Sequence, residues 1–290
     1  MALSAAELEA GRDAARPLPT TSPDASGSAE TPLWLKVAAP VLVGALVLAL
    51  WEILVRVYAV PHYVLPGPLA IAASLVENWS SLFGSLGVTL KITFLALAAA
   101  VLGGGALAVL FAASRLTELS LYPFAVVLQV TPVVAIAPLI VILVKDATLA
   151  CLICAWIVAF FPILSNTTLG LNSADHKLLD LFQLYGASKG QVLRHLRAPT
   201  ALPYFLGGLR ISGGLALIGA VVAEFVAGSA GSETGLAYRI LEAGYRLQIP
   251  KMFAALVLLA LTGVAIFALL SLLSHLCLRH WHESALARER

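Results

Sequence analysis

Six apolar runs, each long enough to cross a bilayer as a helix, take up most of this chain. A hydrocarbon core of about 30 Å needs roughly 20 consecutive residues in helical form. Leu33–Val57, Val88–Ala113, Leu119–Val144, Ala147–Leu169, Pro203–Ala227 and Met252–Leu276 meet that length. Each is expected to be helical, because lipid offers no partner to an exposed backbone N–H or C=O. Composition agrees: 60% of the 290 residues are hydrophobic and 12% charged, too few charges to cover a water-soluble globule of this size. The predicted fold class is an all-α integral membrane protein with six transmembrane helices.

The remainder of the chain reads as connections. Residues 1–32, rich in Pro, Ser and Gly, are expected to be a disordered cytoplasmic tail, and no cleavable signal peptide is evident. Residues 58–84 hold the turn Pro61-His62-Tyr63-Val64-Leu65-Pro66-Gly67-Pro68, which cannot continue a helix. The following Leu69–Phe83 is too polar to span and is expected to lie along the interface, with Trp79 at headgroup depth. Residues 85–276 form the core, and residues 277–290 a second cytoplasmic tail.

Orientation follows from basic residues. With the N-terminus inside, Arg12, Arg16, Lys36, Arg115, Lys177, Lys189, Arg194, Arg197, Arg210, Arg279, Arg288 and Arg290 fall on the cytoplasmic side. Arg56, Lys91, Lys145, Arg239, Arg246 and Lys251 fall outside, so 12 of the 18 obey the positive-inside rule. Both termini are therefore placed in the cytoplasm.

Several function classes are excluded. A net charge of +2 without a basic, aromatic-interleaved cluster gives no nucleic-acid surface. Cys151 and Cys154 form a C-x-x-C, but inside an apolar run, where they read as small helix residues rather than a zinc or redox site. His275, His280 and His282, beside Trp281 and Arg279, read as interfacial residues rather than metal ligands. No catalytic constellation is present, so the chain is predicted not to be an enzyme. It also has no G-x-x-x-x-G-K-[ST] phosphate loop. Without that loop the chain is not expected to bind ATP in the phosphate-loop manner, and no cofactor is expected on it.

Glycines gather in two spans, as Gly103-Gly104-Gly105 and as Gly207-Gly208, Gly213-Gly214 and Gly219. Small residues let helices approach in lipid, and two uses stand open: packing within one subunit, or packing across a dimer or at a hinge. Polar residues in the spans also have two readings. Glu224, near the outer end of the fifth span, is either a gate or pathway acid or an interfacial structural one. Gln129 and Thr131 beside Pro132 either line a cavity at a proline kink or satisfy the carbonyls that the kink frees.

The most informative stretch is the loop between spans four and five, residues 172–202. Leu178, Leu179, Phe182 and Tyr185 recur at helical spacing, Gly186 breaks the pattern, and Ser188 can cap a second piece carrying Val192, Leu193 and Leu196. Pro199 is expected to close that piece and Pro203 to open the next span. A helix–glycine–helix unit of this kind, apolar on one side and basic on the other, suits a surface that presses into a partner.

This loop resembles the EAA motif of ABC importer permeases: an acidic residue and two alanines, three residues, Gly, nine residues, an aliphatic residue, one more, then Leu-Pro. Asp180 stands at the acidic position, Gly186 at the glycine, Leu196 at the aliphatic and Pro199 at the proline. Leu181 and Phe182 replace the alanines and Ala198 the leucine. The similarity covers residues 61–279 and is nearest the nitrate/taurine/sulfonate branch, which also includes importers of pyrimidine-type thiamine precursors. Its supports are the Leu65-Pro66-Gly67-Pro68 turn, the Pro132 and Pro138 pair, Val221-Val222-Ala223-Glu224 and the loop from Gly231 to Ile240.

The resemblance implies a type I ABC importer permease in a bacterial inner (plasma) membrane. Its partners would be a second permease copy, as a homodimer or a heterologous pair, two cytoplasmic ABC ATPase subunits and an external solute-binding protein. Asp180, Gly186, Ala187, Ser188, Leu196 and Pro199 would couple to the ATPase, and Gln129, Thr131, Pro132 and Glu224 are candidates for the translocation path. The cargo would be a nitrate- or sulfonate-like anion or a pyrimidine-like heterocycle. The alternative is an ion-coupled secondary transporter, for which Glu224 would be the titrating group.

Overall fold

The computed structural model describes residues 33–228 and 234–279, with side chains from Ala38 onward. Residues 1–32 and 280–290 of the expected tails, among them His280, Trp281 and His282, lie outside the described residues, as does Gly231, whereas Cys277 and Leu278 belong to the last helix rather than to a tail. Among the described residues the structure is helical throughout. The helices are α1 (Leu33–Val57), α2 (Pro68–Glu77), α3 (Trp79–Ala113), α4 (Arg115–Val130), α5 (Val133–Val144) and α6 (Ala147–Asn172). They continue as α7 (His176–Leu184), α8 (Lys189–Val192), a π turn (Leu193–Arg197), α9 (Ala198–Ala227), α10 (Leu236–Tyr245) and α11 (Ile249–Leu278). The chain divides into two units at Leu50 and Trp51, within α1. The first unit holds the greater part of α1, with Pro40 inside the helix.

In the second unit, α6 and α9 form the central pair. Their backbones meet where side chains are missing. A Cβ on Gly208 would stand 2.7 Å from the Pro162 carbonyl oxygen, and one on Gly219 2.8 Å from the Ala155 Cα. Such approach gives dispersion contacts that apolar burial cannot supply in lipid. The Ser212 hydroxyl adds a buried bond across the pair, donating to the Ala159 carbonyl at 2.7 Å. Helix α3 joins through Gly104, packed on Ile163. The glycine clusters are thus partly consumed by packing within one subunit, whereas Gly105, Gly207 and Gly214 face open space. Cys151 and Cys154 are buried among small residues of the same core, including Ala220 and Ala223.

Among the described residues, five helices are long and apolar enough to cross a membrane, and α4 with α5 make a sixth only as a bent pair. The third span, Leu119–Val144, expected to kink at Pro132, is broken outright, by 98° between Val130 and Val133. The cause is local. Pro132 has no N–H to continue the ladder, both break residues are extended, and the Thr131 hydroxyl takes up the Val127 carbonyl at 2.7 Å.

The second span also differs from expectation: α3 starts at Trp79 rather than Val88, and Leu69–Phe83 splits at Asn78 instead of forming one interfacial helix. Leu82 and Leu86 explain the extension, since both are buried against Leu236, Ala254 and Leu258. The last correction concerns Pro199. It does not close the second loop piece, because the chain runs from α8 through the π turn into α9 without a break, and Pro203 lies inside α9. In the π turn the Ala198 N–H reaches back five residues to the Leu193 carbonyl. This wider turn eases the clash that a proline ring otherwise makes with the carbonyl four residues earlier.

Candidate functional site

The loop unit between α6 and α9 is built from strong local stops and starts. Asp175 caps α7, its carboxylate accepting from the Lys177 N–H at 2.9 Å. At the other end Gly186 adopts a left-handed φ of +68°, where glycine carries no Cβ penalty. The Gly186 N–H bonds to the Gln183 carbonyl at 2.9 Å and the Ala187 N–H to the Phe182 carbonyl at 3.0 Å. These two bonds form a Schellman motif. Two residues on, Ser188 starts α8 in a capping box: the Gln191 N–H donates to the Ser188 hydroxyl and the Ser188 N–H to the Gln191 side chain at 2.7 Å. Gly186, Ala187 and Ser188 thus form one short rigid turn.

The faces are distributed differently from the pattern read in sequence. Leu179 and Phe182 are half-buried against the chain itself. Leu178, Leu181, Leu184 and Tyr185 are exposed, the last two at 85% and 83%. An apolar cluster outside the spanning segments marks a contact surface. Asp180 is exposed on the same helix, Leu196 is buried in its own chain, and Pro199 is half-buried in the first turn of α9. Arg197, which the sequence flagged only as a positive charge, donates to the Ala112 carbonyl at the end of α3 at 2.9 Å.

At the opposite end, Glu224 is 4% exposed and fully engaged. It accepts from the Thr89 hydroxyl at 2.8 Å and from the Ala237 N–H at 3.0 Å, while the same Thr89 hydroxyl accepts from the Leu236 N–H at 2.8 Å. Glu224 and Thr89 therefore cap the N-terminus of α10, where a helix presents unpaired N–H groups and positive potential. Gly235 precedes that helix because a Cβ there would meet the Glu224 carboxylate. Glu52 repeats the device at α2, accepting from the Leu69 N–H at 3.2 Å, with Gly67 leaving it room. Neither Thr89 nor Glu52 stood out in sequence; the Gly67-Pro68 helix start was the available signal for Glu52.

Farther along α10, Glu242 binds both Arg239 and Arg246, at 2.8 and 2.9 Å. The hydrogen bond from Arg239 holds its carboxyl below the ordinary carboxylate value. Arg239 also faces a recess of about 440 Å³ lined by Ser80, Ser81, Ser85 and Lys91.

Gln129 and Thr131 share a cavity of about 190 Å³ with Ile157, Val158, Pro162 and Leu215. Pro132 is exposed at the break, and Glu224 faces a separate small void of about 20 Å³ beside Cys151. Thr131 lines this cavity, and its hydroxyl bonds to the Val127 carbonyl, which already accepts the Thr131 N–H at 3.1 Å and is not the one that Pro132 frees, that of Leu128.

Comparison with known proteins gives the family and the fold. Residues 100–281 match the family described as binding-protein-dependent transport system inner membrane component. The formylaminopyrimidine transport permease protein ThiX of Halalkalibacterium halodurans is 34% identical over 240 residues, covering 82% of this chain and 94% of that protein. The riboflavin transport system permease protein RibX of Chloroflexus aurantiacus is 35% identical over 259 residues, covering 87% and 92%. In three dimensions the chain superposes on a crystal structure of an amino acid ABC transporter with histidines, at a TM-score of 0.57 and 20% identity, over 70% of this chain and 96% of the other. That likeness shows the fold. The chain belongs to the binding-protein-dependent transport family as a multi-pass, non-catalytic inner-membrane permease subunit of an ABC importer, with the type I permease fold.

Proposed function

We propose that this permease is driven through the α7–α8 unit, which docks into a cytoplasmic ABC ATPase subunit carrying ATP and Mg. The exposed apolar cluster of Leu178, Leu181, Leu184 and Tyr185 beside the Gly186 turn carries this reading. Two copies of the chain, or this chain and a second permease, enclose the path, and each receives one ATPase. A solute-binding protein delivers cargo at the outer face, where α10 and its capping carboxylate sit. ATP-driven closure then shifts the pair between outward and inward access, a change that each partner must bind differentially to drive. Both termini are cytoplasmic in this arrangement, which places α7 on the ATPase side.

The cargo is a small uncharged heterocycle of the pyrimidine kind. The cavity at the α4–α5 break offers an amide and a hydroxyl among apolar walls and no charged side chain, which suits a planar hydrogen-bonding solute better than a hydrated anion. The substrates named for the two relatives, a pyrimidine and a flavin, support the same class. The ion-coupled alternative loses its main residue, since the Glu224 carboxylate is occupied as a helix cap.

The test is to reconstitute the chain with its ATPase and binding protein and follow ATP hydrolysis. Formylaminopyrimidine, with the binding protein, is expected to raise hydrolysis several-fold, and nitrate or an alkanesulfonate to leave it unchanged. Stimulation by an anion alone would overturn the cargo assignment.

A further inference from the structure

We infer that Arg197 is a positioning residue that ties the coupling unit to the inner end of α3, so that one docking movement also drives a span to which the unit has no chain link. The inference rests on the reading that the α7–α8 unit docks an ATPase. Covalently, that unit joins α6 through residues 173–175 and α9 through the π turn, but it has no chain link to α3. Arg197 closes the π turn, and its Nη1 donates to the Ala112 carbonyl 85 residues away in sequence, at 2.9 Å. Ala112 lies in the last turn of α3, where carbonyls run out of intrahelical donors and a cation is favoured by the helix dipole. The bond is thus charge-assisted and directed along the end of a spanning helix.

Around this bond the packing is loose. A recess of about 450 Å³ opens between Ala112 and Ala113 on one side and Leu179, Gln183 and Leu193 on the other. Apolar contact alone leaves the coupling unit room to tip away from α3, and the guanidinium is the strut that spans the gap. Its Nε is buried without a partner in the protein. A side chain that tolerates this cost is held for position rather than for local stability. The neighbouring π turn supplies the complementary element, a wide turn of the type found at functional sites in helices.

The test uses the assembled complex with its ATPase, in a Cys277→Ser background, since Cys151 and Cys154 are buried. Labelling by a membrane-impermeant maleimide is followed at Ala113→Cys on α3 and at Gly207→Cys on α9, with and without ATP–Mg. With Arg197 intact, both labelling rates are expected to change several-fold on ATP binding. In Arg197→Ala the change at Ala113→Cys falls to about one-fold, whereas that at Gly207→Cys and ATPase recruitment stay within two-fold; Arg197→Lys, which keeps a cationic donor, restores part of the α3 response. A purely structural role would lower both responses together and sink the inference. An unchanged response at Ala113→Cys in Arg197→Ala would sink it as well. Lost recruitment in Arg197→Ala would move the residue to the docking surface. Failure of the complex to form with Arg197 intact would instead overturn the underlying docking reading.

Discussion

Glu224→Ala is expected to destabilise the permease by about 2–5 kcal/mol, whereas Glu224→Gln stays within about 1 kcal/mol of the parent. The difference follows from what the carboxylate does. Alanine removes the acceptor of the Ala237 N–H and of the Thr89 hydroxyl, both buried. A buried donor left unpaired costs about 1–3 kcal/mol, and the vacated volume adds a cavity term. Glutamine keeps one oxygen for the Ala237 N–H. Its NH₂ can donate to Thr89, whose oxygen has a second lone pair beside the one that accepts from Leu236. Thermal unfolding in detergent, with proteolysis of the α9–α10 connection as a local probe, reads both variants. A Glu224→Gln protein as unstable as Glu224→Ala would show that the negative charge itself, rather than an acceptor, holds α10.

Gly186→Asp is expected to leave the fold intact and weaken ATPase recruitment by tenfold or more, which is about 1.4 kcal/mol at least. Two observations separate the effects. Aspartate is among the side chains that tolerate a left-handed φ, so the turn at +68° survives at modest cost. A Cβ at Gly186 also meets nothing within 4 Å of its own chain. Any large loss must therefore come from what lies against the turn in the complex. Co-purification of the ATPase with membrane-inserted Gly186→Asp checks this. Recruitment at parental strength would remove Gly186 from the docking surface.

The parts legible in sequence were those set by local chemistry. Apolar length marked the helix that ends at Val57, and Gly186 and Ser188 announced a helix stop and a helix start that the Schellman turn and capping box carry out. Resemblance to the EAA pattern then pointed to the family. What sequence did not disclose were the contacts between distant segments. The 98° break at Thr131–Pro132 had a visible proline, but Pro123, Pro138 and Pro162 sit inside helices that continue, so proline alone does not tell a break from a tolerated kink. Pro199 misled for the same reason, because the π turn that accommodates it has no residue of its own to announce it. Thr89 and Glu224 lie 135 residues apart, and Arg197 and Ala112 85 apart. In each pair one partner is an ordinary-looking residue whose role exists only once the helices have packed.

That this permease is driven through its α7–α8 unit is tested most directly by a cysteine cross-link. Gly190 is exposed on α8, with open space where a side chain would go. In the Cys277→Ser background, Gly190→Cys is expected to form a zero-length or short-linker adduct with the ATPase subunit in the assembled complex. Tyr245→Cys, exposed at the end of α10, is expected to form none. A transport-competent complex that links the ATPase through Tyr245→Cys, or that gives no adduct at Gly190→Cys with any linker, would contradict the account.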